Sequence, residues 1–132
     1  MPQDDSERYH RGWEKLAEVD GEAGPRVIES LSDVAPDLGR FIVEFGFGDV
    51  YSRPNLVPPQ RQLVTIGSLA SLGGCEPQLE VHINAALNVG LSAAEIVEAI
   101  IHVSVYAGFP RALNAMFVAK KVFDERGLLP VE

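Results

Sequence analysis

The segment that decides the fold is Ser92-Ala-Ala-Glu95-Ile-Val-Glu-Ala-Ile-Ile-His-Val-Ser-Val-Tyr-Ala107, which Gly108 follows. Its first four residues form a capping box, in which the serine oxygen and the glutamate carboxylate each bind a backbone amide at the start of a helix. The apolar residues that follow do not alternate with polar ones, as they would in a half-buried strand. The segment is therefore predicted to be one helix that ends before Gly108.

The same signals predict six more helices along the chain. Proline tolerates the first turn of a helix, and glycine commonly ends one. Three prolines within residues 51–59 exclude regular helix there. The predicted helices cover, approximately, residues 6–19, 25–34, 36 to about 45, 58–72, 76–89, 92–107 and 111–126. With seven helices and no sheet, the expected fold class is all-α.

Helices four and six are apolar on most of their circumference. In helix four the apolar residues are Leu63, Val64, Ile66, Leu69, Ala70 and Leu72; in helix six they are Ile96, Val97, Ile100, Ile101, Val103 and Val105. A helix that is apolar on most sides has to be buried on most sides. A monomer of 132 residues has few places to bury two such helices, so we expect a homo-oligomer.

Composition limits the classes of function. The chain has 132 residues without an internal repeat, so we expect a single domain over residues 1–132. A net charge of −8 with only 11 Lys and Arg residues argues against nucleic-acid binding. No run reaches the roughly 18 apolar residues of a membrane helix. The acidic, polar start is unlike a signal peptide. We therefore expect a cytoplasmic protein that binds neither nucleic acid nor membrane.

His82 is the strongest candidate for chemistry. It lies three residues after Leu79 and four before Ala86, which places it on the apolar face of helix five. Burial there lowers the pKa of a histidine and leaves a neutral imidazole that is suited to proton transfer. The alternative is a core histidine that is hydrogen-bonded to a carbonyl group. From the spacing alone, the structural alternative is favoured.

Glu44 is the second candidate. It flanks the apolar stripe of helix three, where a half-buried carboxylate can act as a general acid or base. The alternative is an ordinary ion pair with Arg40, one helical turn earlier, which contributes only about 0.2–0.5 kcal/mol. The spacing favours the ion pair.

Cys75 is the only cysteine in the chain and opens helix five, where the helix dipole favours a thiolate. A dithiol–disulfide cycle needs a second thiol, and Gln78 stands where a CxxC motif has its second cysteine. An inert, partly buried thiol is therefore the favoured interpretation. The sequence contains no HxxxH or HExxH spacing, so we expect no metal site.

Three stretches taken together resemble the carboxymuconolactone decarboxylase family. The first stretch, residues 41–54, resembles the family's E-[FY]-x-[WF]-G-[ED]-[IV]-[WY]-[ST]-R-P segment. The second stretch is residues 61–73. The third is residues 79–90, followed by residues 95–101 and 105–110. The resemblance covers residues 38–123, and it implies an all-α fold with an antiparallel helical pair, assembled into trimers or hexamers.

The resemblance also implies one of two chemistries. The branch similar to alkylhydroperoxidase D uses a CxxC pair, a histidine four residues after the second cysteine, and an upstream glutamate. Here His82 matches the histidine and Cys75 the first cysteine. Gln78 replaces the second cysteine, and Gln62 or a neighbour occupies the glutamate position. Two losses disfavour dithiol peroxidase chemistry.

The decarboxylase branch needs no cysteine pair. The resemblance of this chain to that branch implies removal of CO2 from a butenolide. The conjugated carbonyl of the butenolide accepts the electrons, so no cofactor is required. In this scheme His82 donates a proton or binds the oxyanion, and Glu44 orients that histidine or transfers a proton. Arg53 pairs with a substrate carboxylate, and Tyr51 and Trp13 are further substrate-binding candidates. The family often has a basic residue two positions after the histidine, where this chain has Asn84.

These observations predict an enzyme that decarboxylates a small carboxylated lactone, or carries out a related proton transfer, without a cofactor. The predicted ligand is a small acidic organic substrate, and the predicted assembly is a homo-trimer or homo-hexamer. Two alternatives remain open at this point. One is a peroxidase-like redox activity at Cys75, and the other is a non-catalytic oligomeric binding protein.

Overall fold

The computed structural model describes residues 6–132, which form seven α-helices and one π-helical segment without any strand. The all-α prediction is therefore confirmed. The elements are α1 (Glu7–Asp20), α2 (Ala23–Ser30), α3 (Pro36–Phe41), the π-helical segment (Ile42–Val50), α4 (Pro58–Leu72), α5 (Glu76–Asn88), α6 (Ala93–Ala107) and α7 (Phe109–Glu125). Across residues 6–132, no helix combines the length and apolarity that crossing a bilayer requires. The described residues fall into two compact units, residues 6–58 and residues 59–132. A single domain over the chain stays a prediction.

In the first unit, α1 packs against the π-helical segment. Ser6 caps α1, because its side-chain oxygen accepts a hydrogen bond from the Tyr9 amide at 3.1 Å. Gly12 faces Val43 so closely that a Cβ atom added at Gly12 would lie 2.8 Å from the Val43 carbonyl carbon and 2.9 Å from the Gly48 amide nitrogen. Backbone therefore meets backbone along this contact.

The second and third helices differ from their predicted form. The second ends at Ser30 rather than at residue 34, because the chain turns through short-range bonds such as Ser32 N–H to Glu29 O and Val34 N–H to Leu31 O. The third does not stay α-helical beyond Phe41, since residues 42–50 widen into π-helix. The bond from the Tyr51 amide to the Gly46 carbonyl, at 2.9 Å, spans the five residues typical of that form.

The second unit is built around one hydrophobic core to which all four of its helices contribute. Ile66 of α4, Ile83 of α5, Ile96 and Ile100 of α6 and Val122 of α7 are fully buried in it. The capping box predicted at the start of α6 is present: the Glu95 amide donates to Ser92 Oγ at 3.1 Å, and the Ser92 amide donates to Glu95 Oε1 at 2.8 Å.

The connection between α6 and α7 is shorter than predicted. Gly108 alone separates the two helices, and α7 begins at Phe109 instead of Arg111. Pro110 then occupies the first turn of α7, where its missing N–H is tolerated. Gly108 has φ +94°, a conformation that favours glycine. One residue is therefore enough to reverse the chain.

Asp20, the last residue of α1, is a buried carboxyl group with an unusual environment. Only 6% of it is exposed, and its Oδ1 atom has no hydrogen-bond partner among the described residues. Burial raises the pKa of the Asp20 carboxyl from 3.8 to about 6. Its place at the negative end of the helix dipole further disfavours the charge.

Asp20→Asn should therefore stabilise the protein at neutral pH. Because the folded pKa of Asp20 lies above the unfolded one, the free energy of unfolding falls as pH rises from about 4 to about 6 and stays lowered above that. Removing the charge should raise the free energy of unfolding at pH 7.5 by about 2 to 3 kcal/mol. Urea unfolding at pH 7.5 and pH 4 measures the difference, which should shrink at the lower pH. Equal stabilisation at both values would contradict the ionisation argument.

Candidate functional site

His82 lies in α5 and forms a side-chain hydrogen bond with Gln62 of α4. The distance between His82 Nδ1 and Gln62 Oε1 is 3.1 Å. Gln62 is fully buried. Both residues belong to the second unit, and their bond joins positions that are 20 residues apart in sequence. The histidine therefore has a defined polar partner inside the unit.

The helices position this pair through their apolar faces. Leu79, Ile83 and Ala86 of α5 are buried in the core, so His82 lies on the border of the packed side of the helix. Gln62 precedes Ile66 and Ala70 by one and two turns, and both are buried in the same core. Two apolar stripes thus bring the amide and the imidazole together.

Burial lowers the pKa of the His82 imidazole, and desolvation alone is the cause. An uncharged Gln62 side chain does not counteract that effect, as a carboxylate would. The imidazole is therefore neutral at neutral pH, as the helical spacing predicted. A neutral ring can accept a proton from water and, once protonated, is a strong donor.

Asn84, two residues after His82, lies about 200° further around α5 and so faces another side of the helix. Its Oδ1 accepts a hydrogen bond from Arg126 Nε at 2.9 Å, while Arg126 Nη2 donates to Asn88 Oδ1 at 3.0 Å. One turn earlier, Glu80 pairs with Lys121. Asn84 thus belongs to a polar contact between α5 and α7.

Glu44 is in the π-helical segment of the first unit and is 9% exposed. Ser6 Oγ donates a hydrogen bond to its Oε2 at 2.9 Å. The predicted ion pair with Arg40 is also present, with 3.8 Å between Arg40 Nε and Glu44 Oε1. The cap of α1 and the carboxylate are therefore linked through one hydroxyl group.

An open cleft of about 640 Å³ lies beside Glu44. Phe41 and Phe45 form apolar walls, and Arg8 supplies a cation. Arg8 is held by Asp49, with Nε to Oδ1 at 3.1 Å and Nη2 to Oδ2 at 2.9 Å. The Arg8 guanidinium group is therefore already paired with a carboxylate where it meets the cleft, and Glu44 adds a second carboxylate to the lining.

The three predicted substrate-binding residues also lie in the first unit, but none is among the described side chains that line this cleft. The Trp13 ring stacks on Tyr9 at 6.1 Å between centroids, and the Tyr51 ring stacks on Phe47 at 4.6 Å. Arg53 is exposed just after Tyr51. Their roles in substrate binding stay predictions.

Cys75 is the N-cap residue of α5 and is half-buried. Its Sγ donates to the Gly73 carbonyl oxygen at 3.6 Å. Within residues 6–132 no group of three or more His, Cys, Asp or Glu side chains could hold a metal ion.

Sequence reasoning missed two parts of this arrangement. It noted Gln62 only as the occupant of a glutamate position, because nothing in a single sequence shows which side chain of α4 meets His82. It treated the apolar residues beside Glu44 only as a stripe of helix three, and two of them, Phe41 and Phe45, are 55% and 62% exposed at the cleft. Phe41 is the last residue of α3, and Phe45 lies in the π-helical segment.

Comparison with known proteins gives a consistent group of relatives. A model of the carboxymuconolactone decarboxylase family matches residues 36–121. The 4-carboxymuconolactone decarboxylase of Acinetobacter baylyi is 42% identical over 127 residues, covering 96% of this chain and 94% of that protein. The nitrosuccinic acid decarboxylase of Metarhizium robertsii is 37% identical over 86 residues, covering 64% of this chain and 58% of that protein. An uncharacterised protein of Paracoccus denitrificans is 30% identical over 99 residues, 74% of each chain.

Proposed function

Because the chain belongs to the carboxymuconolactone decarboxylase family, we propose that it is a cofactor-free carboxy-lyase that acts on a small carboxylated lactone similar to γ-carboxymuconolactone. The observation that carries the proposal is the environment of His82, a half-buried imidazole whose pKa is lowered by desolvation and raised by no neighbouring charge. The two relatives with decarboxylase names support the reaction class.

The proposed reaction needs an electron sink and one proton. The bond between the ring carbon and the carboxylate breaks, CO2 leaves, and its electron pair passes into the conjugated lactone carbonyl to give a dienolate. His82 takes up a proton from water and delivers it to a carbon of the dienolate. One proton is consumed for each CO2 released, and the imidazole returns to its neutral form. General acid catalysis of this kind contributes about 10²- to 10⁴-fold.

The first unit supplies two further groups to the proposal. We assign Glu44 to proton transfer or to orientation of the histidine, and Arg53 to a substrate carboxylate, as the resemblance of residues 44–54 implies. The same turnover assay tests both roles. Glu44→Gln should lower kcat and Arg53→Gln should raise KM, and unchanged constants in either variant would remove that residue from the scheme.

The second relative widens the range of acids to test. Nitrosuccinic acid carries a nitro group, which can accept an electron pair as a lactone carbonyl does. A site that supplies only orientation and a proton can serve either acid, since the substrate itself provides the electron sink. The substrate panel should therefore contain both compounds, with the lactone expected to react faster because the lactone decarboxylase matches nearly the whole chain.

The test of this proposal follows lactone absorbance and trapped CO2 with purified protein. We expect one CO2 for each lactone consumed, and the same rate with Cys75→Ser, because a single thiol takes no part in the scheme. A protein that leaves every acid in the panel unchanged but reduces a hydroperoxide, with Cys75→Ser inactive, would support the redox alternative. Absence of both activities would favour a binding protein.

We also propose that the chain assembles into a homo-trimer or homo-hexamer. Large apolar side chains of α4, α6 and α7 are exposed, among them Val64, Leu72, Val105, Tyr106, Phe109 and Phe117. Exposed apolar surface of this extent is typical of a subunit interface. Light scattering after size-exclusion chromatography measures the mass, and a stable monomer would contradict the assembly.

A further inference from the structure

We propose that Gln62 is a positioning residue that keeps a hydrogen on His82 Nδ1, so that Nε2 is the nitrogen that exchanges a proton with the substrate. The inference about the hydrogen concerns the protein alone. The catalytic role that we give to the two ring nitrogens rests on the proposed function.

The hydrogen-bond geometry carries the first step. Gln62 Oε1 lies 3.1 Å from His82 Nδ1, and an amide oxygen can only accept a hydrogen bond. A neutral imidazole has one N–H donor and one acceptor nitrogen. With Nδ1 as the donor, the lone pair of the neutral ring must be on Nε2. Gln62 is fully buried, which shields its end of this bond from water.

The second step of the argument is that the Gln62 side chain has no charge. A carboxylate at this position would stabilise the imidazolium form and hold His82 protonated. The amide orients the ring equally well but leaves the lowered pKa that burial produces. His82 is therefore neutral between turnovers and becomes a stronger acid when it is protonated.

The third step concerns the two protonation states of the ring. An imidazolium carries hydrogens on both nitrogens, so the bond from Nδ1 to Gln62 is kept when Nε2 gains or loses its proton. The ring does not have to rotate between loading and delivering the proton. Gln62 thus separates the nitrogen that anchors the ring from the nitrogen that reacts.

The tautomer is measured directly by nitrogen NMR of the ¹⁵N-histidine-labelled protein without substrate. We expect His82 to show a protonated type of shift at Nδ1 and an unprotonated type at Nε2 above its pKa. The reverse assignment would mean that the Gln62 amide faces the ring with its NH2 group, and it would overturn the inference. Because no turnover is involved, this result is independent of the proposed function.

Variants at position 62 test the catalytic purpose. Gln62→Glu keeps an acceptor for Nδ1–H but adds a charge, so the limb of the kcat profile that falls with rising pH should move to higher pH by about one unit. Gln62→Met removes the acceptor at similar length, so kcat should fall about tenfold with KM nearly unchanged. Gln78→Met, at an exposed position of α5, is the matched control and should change neither constant.

The failures of the two ideas can be distinguished. If the wild type decarboxylates the lactone but Gln62→Met keeps the wild-type tautomer and pH profile, Gln62 has no positioning role and the proposed function stands. If the wild type is inactive on every acid, the proposed function fails while the NMR result still decides the tautomer. Should Gln62→Glu not fold, the wild-type spectrum and Gln62→Met decide the question.

Discussion

His82→Ala is expected to lower kcat for lactone decarboxylation by about 10²- to 10⁴-fold, the range that a positioned general acid contributes. KM should change little, because the imidazole transfers a proton and does not bind the substrate carboxylate, a role that the proposal gives to Arg53. Steady-state kinetics at pH 7 measures both constants. Circular dichroism confirms that the variant keeps its helices.

His10→Ala is the matched control for this substitution. His10 is exposed on α1 and lies about 200° around the helix from Gly12, on the side away from the π-helical segment. Loss of an exposed histidine there should leave kcat within about twofold, since surface changes seldom exceed 0.5 kcal/mol. A His82→Ala variant as active as the His10→Ala control would remove His82 from the mechanism.

Gly12→Ala is expected to cost about 3 kcal/mol or more of unfolding free energy, at the upper end for overpacking. The added methyl group would overlap the Val43 carbonyl group and crowd the Gly48 amide. These are backbone atoms, which cannot rotate away as a flexible side chain can. The helix α1 and the π-helical segment would have to move apart, and Glu44 lies next to the residue that is displaced.

Gly67→Ala provides the control for this change. Gly67 is also a helical glycine, inside α4, but a Cβ atom there would meet nothing within 4 Å. Alanine favours the helix over glycine by up to about 1 kcal/mol, so this variant should be slightly stabilised. Urea unfolding compares the two. Similar stabilities for both variants would show that the close contact at Gly12 does not limit packing.

The sequence predicted the helices well where local chemistry sets their ends. Ser92 and Glu95 cap α6 as expected, and Pro58 begins α4 as expected. Local signals did not predict the π-helical segment, because its apolar spacing over residues 41–45 also fits an α-helix. The pattern of residue types also does not show the contact at Gly12, where the backbone of α1 meets the backbone of Val43, 31 residues later in the sequence.

Only those features of the candidate site that depend on a single helix could be predicted from the sequence. The place of His82 on the packed side of α5 follows from Leu79 and Ala86, which lie on the same helix. Its hydrogen bond to Gln62 depends on how α4 packs against the same core, and no spacing rule supplies that. The exposure of the cleft walls at Phe41 and Phe45 could not be predicted either, since apolar spacing does not show whether another element covers the apolar face of a helix.

The measurement that tests the central claim most directly is turnover of a lactone, ¹³C-labelled in its ring carboxylate, by the wild-type protein in D2O. We predict one ¹³CO2 for each lactone consumed and one deuterium on a carbon of the product, because the dienolate is protonated from an exchangeable group. A lactone that is consumed without release of ¹³CO2, or one that is left intact at high protein concentration, would contradict the proposed decarboxylation.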